Sequence, residues 1–328
     1  MTITPKISVI ICTHNPRPEY LERVLEALRC QTLPTSEWEL LVIDNASEVG
    51  LADKWDLSWH PHARHIREDE LGLTPARLRG IRESSGELLV FVDDDNLLGP
   101  QYLELCKLIS IKHPQLGAWG GQVIAEFEEP PSSAVKPFLH LLAIRELTKD
   151  RWSNHDDPWG VPCGAGLVCR RSVAEAYYHR TRTSPLGIGL DRKGSSLSSG
   201  GDLDLAFTAC DLGLGCGLFV NLNVIHLIPT SRLRLDYLLK LSEQIAASGV
   251  ILHYVRTGQV HSETILQRIM FWLRTLRRSP VIWIGAWHES RGNRQGKKLL
   301  TAGSSNTISN IETNNSLSLA DTVSEKTR

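Results

Sequence analysis

Two short apolar runs, each cut off by a polar turn and separated by a helical stripe, constrain this chain more than any other feature. Ile7-Ser-Val-Ile-Ile-Cys12 is β-branched and almost wholly apolar, and it stops at Thr13-His14-Asn15-Pro16. Such a run fits a strand covered on both faces, as in a parallel sheet. Pro18 then predicts a helix start, with Leu21, Val24, Leu25 and Leu28 on one apolar stripe. Glu39-Leu-Leu-Val-Ile-Asp44 repeats the strand pattern and ends at Asn45-Ala-Ser47. A short third strand is expected within Trp55–Arg67, followed by a helix over Gly72–Gly86 with Ala76, Gly80 and Ile81 inward. Glu87-Leu-Leu-Val-Phe-Val92 is the strongest strand of the set, and Pro100 opens another helix carrying Tyr102, Cys106 and Ile109. Strands and helices in alternation argue for an open, mostly parallel α/β sheet.

The rest of the chain is less regular. Ala118–Phe127 reads as a strand, and Gly160–Arg170 is Gly-rich. Gly187–Gly201 holds five glycines and four serines and is expected to be a mobile loop. Leu205, Ala209 and Leu212 predict a helix ended by Gly213, and Val224–Ile228 a last short strand. Beyond residue 230 the pattern turns helical, with Leu235, Leu238, Leu239 and Ile245 on one face and Gly249 as a stop. The expected division is a catalytic domain over 1–230, a helical extension over 231–300, and a disordered Ser/Thr/Asn-rich tail over 301–328.

Composition removes several functions. With 36 basic and 37 acidic residues, no overall field draws the chain to nucleic acid. Seven cysteines without paired CxxC spacing do not make a disulfide framework, and no apolar run approaches the roughly 20 residues of a membrane span. These features set the expectation of a cytoplasmic protein.

Chemistry concentrates in Asp93-Asp94-Asp95-Asn96, which directly follows the strongest strand. Crowded carboxylates repel one another unless a cation intervenes, and hard oxygens at this spacing suit Mn²⁺ or Mg²⁺. An Asp-rich turn before the Pro100 helix is the alternative. Asp44 ends the second strand, where a carboxylate can accept hydrogen bonds from a base or ribose, or simply make a turn. Gly200-Gly201-Asp202-Leu203-Asp204 places an Asp at a helix start, as a general base or as an N-cap.

The order of these pieces resembles the family 2 glycosyltransferases of GT-A fold. The likeness runs through Ile-Ser-Val-Ile-Ile-Cys-Thr-His-Asn15, Leu-Val-Ile-Asp44-Asn-Ala-Ser, Gly72-Leu-Thr-Pro-Ala-Arg77 and Val-Phe-Val-Asp93-Asp-Asp95-Asn. It continues through Gly164-Ala165-Gly166, Gly201-Asp202-Leu-Asp204 and Val224-Ile-His226, covering about residues 5 to 230. The resemblance implies a central sheet flanked by helices and an inverting transfer from a nucleotide-diphospho-sugar to an acceptor hydroxyl of a glycan or lipid-linked molecule. Thr13 and Asn15 match the strand edge beside the nucleotide, Asp44 the carboxylate at its base, and Arg77 the arginine near the diphosphate. Asp93 and Asp95 match the metal-holding DxD pair, Gly164, Ala165 and Gly166 the backbone beside the acceptor, and Asp202 the base. Asp204 stands as its neighbour at the substrate, and His226 as a further metal ligand.

Two departures stand out: Leu78 replaces the usual Asn, and Gly201 replaces an acidic residue that commonly precedes the base. The second leaves open a non-catalytic nucleotide-sugar-binding subunit. A nucleotidyltransferase would need a basic, Gly-rich turn after the first strand, where only Arg17 stands. Eight Lys/Arg between Arg268 and Lys298, interleaved with Trp272, Trp283 and Trp287, suggest either peripheral contact with an anionic membrane or a solvated helix pair.

Overall fold

The computed structural model describes residues 6–155, 160–260, 270 and 280–301. The described residues fall into two compact units, 1–241 and 242–328.

In the first unit the elements run β1 (Ile7–Thr13), α1 (Pro18–Arg29), β2 (Trp38–Asn45), β3 (Ala63–Glu68), α2 (Leu73–Glu83), β4 (Leu88–Asp93) and β5 (Asn96–Leu98). There follow α3 (Tyr102–Lys112), β6 (Leu116–Phe127), β7 (Arg151–Ser153), β8 (Leu167–Arg170), α4 (Arg171–Thr181), α5 (Pro185–Ile188), α6 (Gly201–Asp211) and β9 (Gly215–Ile228). All nine strands join one sheet in the order β3-β2-β1-β4-β8-β6-β9-β5, with β7 paired to β9. The long pairings, β1 with β2 and β4, β2 with β3, and β6 with β9, are parallel. The antiparallel ones, made by β8, β5 and β7, are short.

Side chains alternate across β1, and each set finds its own helices. Ile7, Val9 and Ile11 share a core with Leu21, Val24, Leu25 and Leu28 of α1 and Leu103, Cys106 and Ile109 of α3. Ile10 points the other way, against Gly80 of α2. Burying each such side chain contributes about 1.5–3 kcal/mol, which is why the strands carry unbroken apolar runs.

This order has a consequence for function. The chain leaves β1 toward β2 and β3, then returns through α2 to place β4 on the other side of β1. Between β1 and β4 the winding reverses, and in open α/β sheets ligands bind at the carboxyl ends of strands at such a point.

Three expectations are corrected here. The last strand begins at Gly215, well before Val224, because Gly215 and Gly217 pass where neighbours leave no room for a Cβ. Gly187–Gly201 is not a free loop, since Gly187 lies in α5 and Leu190, Asp191 and Gly200 are buried. Gly249 does not stop the helix α7 (Leu235–Thr257), which runs on to Gly258, a residue with φ of +70°. A lone interior glycine costs a helix about 1 kcal/mol, too little to end it.

In the second unit, residues 280–301 form a helix. Gly292 and Gly296 lie so close to the backbone of Glu243 and Ala247 that a Cβ would meet their carbonyls at 2.0 and 2.7 Å. Glu243 accepts from Arg291 at 3.2 Å and faces His288 at 3.1 Å. Of the tail expected to be disordered over 301–328, Thr301 is still helical and residues 302–328 lie outside the described residues, as do residues 261–269 and 271–279.

Candidate active site

Parallel register carries the functional side chains to one edge. Thr13 pairs with Asp44 across β1 and β2, and Cys12 with Asp93 across β1 and β4. Thr13 also donates a short hydrogen bond to Asp94, which ties the ends of β1 and β4 together. Asn15, at φ 47°, fits a left-handed turn that Asn tolerates. Its backbone N–H donates to Ser47 Oγ, and its side-chain oxygen accepts from Glu48, so it joins the turns after β1 and β2.

Asp44 is buried and already engaged. One oxygen accepts from the Ser47 amide at 3.0 Å and the other from Arg67 at 2.8 Å. Burial opposes its charge, but the bonds from Ser47 and Arg67 outweigh it and hold the carboxyl below its usual range.

The three aspartates after β4 differ sharply. Asp95 accepts from Arg232 at 2.8 Å and faces His226 Nε2 at 3.5 Å; despite burial, these two groups keep it well below the carboxylate range. Asp94 lacks such a cation, and burial plus the Asp95 charge push it up to about 7. Asp93, half-buried, is raised by the same two causes. His226 is oriented by its Nδ1, which faces the Leu142 carbonyl at 3.0 Å and so carries the proton there. Among the described residues no group of three or more His, Cys, Asp or Glu gathers closely enough to hold a metal ion alone. The ionised Asp95, with Asp93 raised by burial and by its repulsion and relieved of the latter by a positive charge, still fits a hard cation that takes its other ligands from phosphate and water.

The glycine run packs against Tyr102, Arg77 and Asp202. Gly166 has φ of +72°, and a Cβ there would meet Tyr102 Oη at 2.6 Å, so no other residue fits. Tyr102 donates to its carbonyl at 2.5 Å. Gly164 N–H donates to Asp202 Oδ2 at 2.7 Å, and Ala165 is buried between the two glycines. Asp202 Oδ1 accepts from the Leu203 amide, leaving a half-buried carboxylate fixed at the N-terminus of α6.

Arg77 is 4% exposed and donates from Nη1 to Asp191 at 2.8 Å, so it is a buried charge. Burial opposes its charge, yet the charges of Asp191, Asp202 and Asp93 outweigh it and keep the guanidinium protonated. Asp204 is 1% exposed and paired with Arg180 of α4 at 2.7 Å, so its carboxylate faces the helix packing and not the substrate side. Sequence reasoning missed Asp191 and Arg232 altogether. Neither sits in a motif, although Arg232 follows His226 by six residues on the same strand exit.

Comparison with known proteins bears on the family and the fold. Residues 8–177 match the family described as Glycosyl transferase family 2. The chain is 37% identical over 108 residues to glycosyltransferase AglE of Haloferax volcanii, covering 32% of this chain and 35% of that protein. It is 35% identical over 104 residues to validoxylamine A glucosyltransferase of Streptomyces hygroscopicus, covering 30% and 24%. It thus spans about a third or less of the length of these relatives. The crystal structure of S. aureus TarS 1-349 has the same fold, with a TM-score of 0.51 and 14% identity, over 91% of this chain and 92% of that one. With the expected strand-edge carboxylates in place and the match covering just over half its length, the chain belongs to glycosyl transferase family 2.

Proposed function

We propose that the protein transfers a sugar from a nucleotide-diphospho-sugar to an acceptor hydroxyl with inversion, using Asp202 as general base. The observation that carries this reading is at Gly164, whose amide donates to Asp202 Oδ2 at 2.7 Å and whose Cβ position lies 2.9 Å from Arg77 Nη2. Arg77 also feels the charge of Asp93, which supports reading the strand-edge carboxylates and Asp202 as one site.

Thr13, Asn15 and Asp44 line the nucleotide side of the β1 and β2 edge. Asp93 and Asp95 would hold Mn²⁺ or Mg²⁺, with His226 beside Asp95. When bound, that ion supplies Lewis-acid neutralisation of the departing diphosphate. The chain's own residues do the rest. Gly164 to Gly166 present backbone close to the acceptor, and the Gly164 amide fixes one oxygen of Asp202. Asp202 takes the proton of the acceptor hydroxyl as that oxygen attacks the anomeric carbon from the face opposite the diphosphate. One displacement inverts the centre. A glycan or lipid-linked acceptor follows from the family.

Release of nucleotide diphosphate from a panel of nucleotide sugars, with Mn²⁺ and acceptor, tests the reading. Tight donor binding without any release across the panel would instead establish a binding subunit.

The second unit bears on where this happens. Trp283, Ile284 and Trp287 are exposed, and Arg291, Arg294 and Lys298 continue their side of the helix, opposite the buried Gly292 and Gly296. Aromatics followed by cations on one stripe suit an anionic lipid surface. No helix among the described residues is long and apolar enough to cross a membrane.

A further inference from the structure

Asp191 belongs to no motif, yet it is 5% exposed and binds three residues on two helices, α2 and α6. Thr74 Oγ1 and Arg77 Nη1, both on α2, donate to its Oδ2 at 2.9 and 2.8 Å. The Gly201 amide, at the first residue of α6, donates to its Oδ1 at 3.1 Å. A Cβ on Gly201 would stand 2.2 Å from Oδ2 and 2.6 Å from Cγ of the same carboxylate. The space that a side chain at position 201 would need is the space Asp191 fills.

We infer that Asp191, ten residues earlier in the chain, supplies the carboxylate that Gly201 lacks beside Asp202, and that it is the positioning residue for Asp202. The inference rests on the reading of Asp202 as general base. Arg77 links the two acids. Its Nη2 lies 2.9 Å from the place a Gly164 Cβ would occupy, and Asp202 Oδ2 lies 3.5 Å from that same point. Asp191 therefore does two things: it neutralises Arg77 from the side away from Asp202, and it pins the first turn of α6 through Gly201. Without it, a buried guanidinium would turn to the nearest remaining carboxylate, Asp202, and occupy the oxygen that must accept the proton. The Gly201 departure thus reads as a relocation of the acid and not as the loss of a catalytic feature.

The test uses the full chain and the nucleotide sugar that gives turnover in the release assay. Asp191→Ala is expected to lower kcat about 100-fold, as a displaced catalytic group does, with donor KM within about twofold of wild type. Asp191→Asn keeps the size and one acceptor oxygen, turns the other into an NH2 donor and removes the charge, and a loss of about tenfold is expected. The double variant Asp191→Ala, Gly201→Asp vacates the space and returns a carboxylate through position 201; it is expected to recover to within about tenfold of wild type. A simple structural role would not produce that recovery. A folded Asp191→Ala with wild-type kcat, or a double variant no better than the single one, overturns the inference. If Asp191→Ala does not fold, wild-type kcat in Asp191→Asn does so. Failure of the underlying reading looks different: Asp202→Asn itself would then turn over at the wild-type rate, whereas an inactive Asp202→Asn beside unaffected Asp191 variants removes only the positioning role.

Discussion

Arg180 Nη2 lies 2.7 Å from Asp204 Oδ1, and that contact separates the two aspartates that begin α6. Asp202 and Asp204 are two residues apart, so a helix turns them to different sides. One meets Gly164 at the strand edge, and the other meets α4 in the interior.

The two therefore should fail differently. Asp202→Asn is expected to lose turnover by about 10²- to 10⁴-fold with an unchanged melting temperature, because the amide keeps a capping oxygen but takes no proton. Asp204→Asn is expected to keep most turnover and lose about 1–2 kcal/mol of stability; Arg180 is partly solvated and retains Asp211, which limits the cost. Paired kinetics and thermal melts of both variants check this, and a fully active Asp202→Asn would sink the base assignment.

Asp95 should govern cation binding. Thermal melts of the wild-type chain with Mn²⁺ and a nucleoside diphosphate are expected to rise, since a ligand at 100 times its Kd stabilises by about 2.7 kcal/mol. In Asp95→Asn that rise should vanish, while Mn²⁺-free folding persists through Asn96 and the β5–β9 pairing. A rise equal to wild type in this variant would remove Asp95 from the metal site.

The helix over 280–301 gives a separate test. Full-length protein is expected to pellet with vesicles containing phosphatidylserine at low salt and to be released at high salt, each nearby cation contributing about 1 kcal/mol. Trp283→Ala, Trp287→Ala should weaken the attachment without altering turnover of a soluble acceptor. Equal pelleting with neutral vesicles would exclude the anionic-surface reading.

The sequence disclosed β1, β2 and β4 because strands buried on both faces need unbroken apolar runs, and the carboxylates that follow them are local to those strands. β8 was hidden because its four residues merge with the glycine run before them. The first half of β9 was hidden because Gly215 and Gly217 imitate a loop while making room for Leu116 and Phe219. The site was legible to the same extent. Asp93, Asp95 and Asp202 announce themselves by position, whereas Asp191 meets Arg77 across 114 residues and Arg232 meets Asp95 across 137. No periodicity encodes a contact of that span. It exists only once the sheet has closed the distance.

A last prediction concerns pH and lies outside the site. His60 is 3% exposed, set edge-on to Trp38 with ring centroids 4.1 Å apart and beside Trp59. Its Nδ1 accepts from the His62 amide at 3.2 Å, so the neutral ring is the form that fits. Burial, helped by the neighbouring His62, pushes it down to about 4 from the ordinary 6.5. The unfolded chain therefore binds a proton that the folded one refuses, and stability must fall as pH drops from about 6.5 toward 4 and level off below that. The separation corresponds to about 3 kcal/mol at most. Melting temperatures between pH 7.5 and 4.5 should show this slope in the wild-type chain. His60→Gln has no proton to gain, so it should start lower through lost packing but decline less steeply over the same window. Parallel slopes for the two proteins would show that His60 is not the group that titrates.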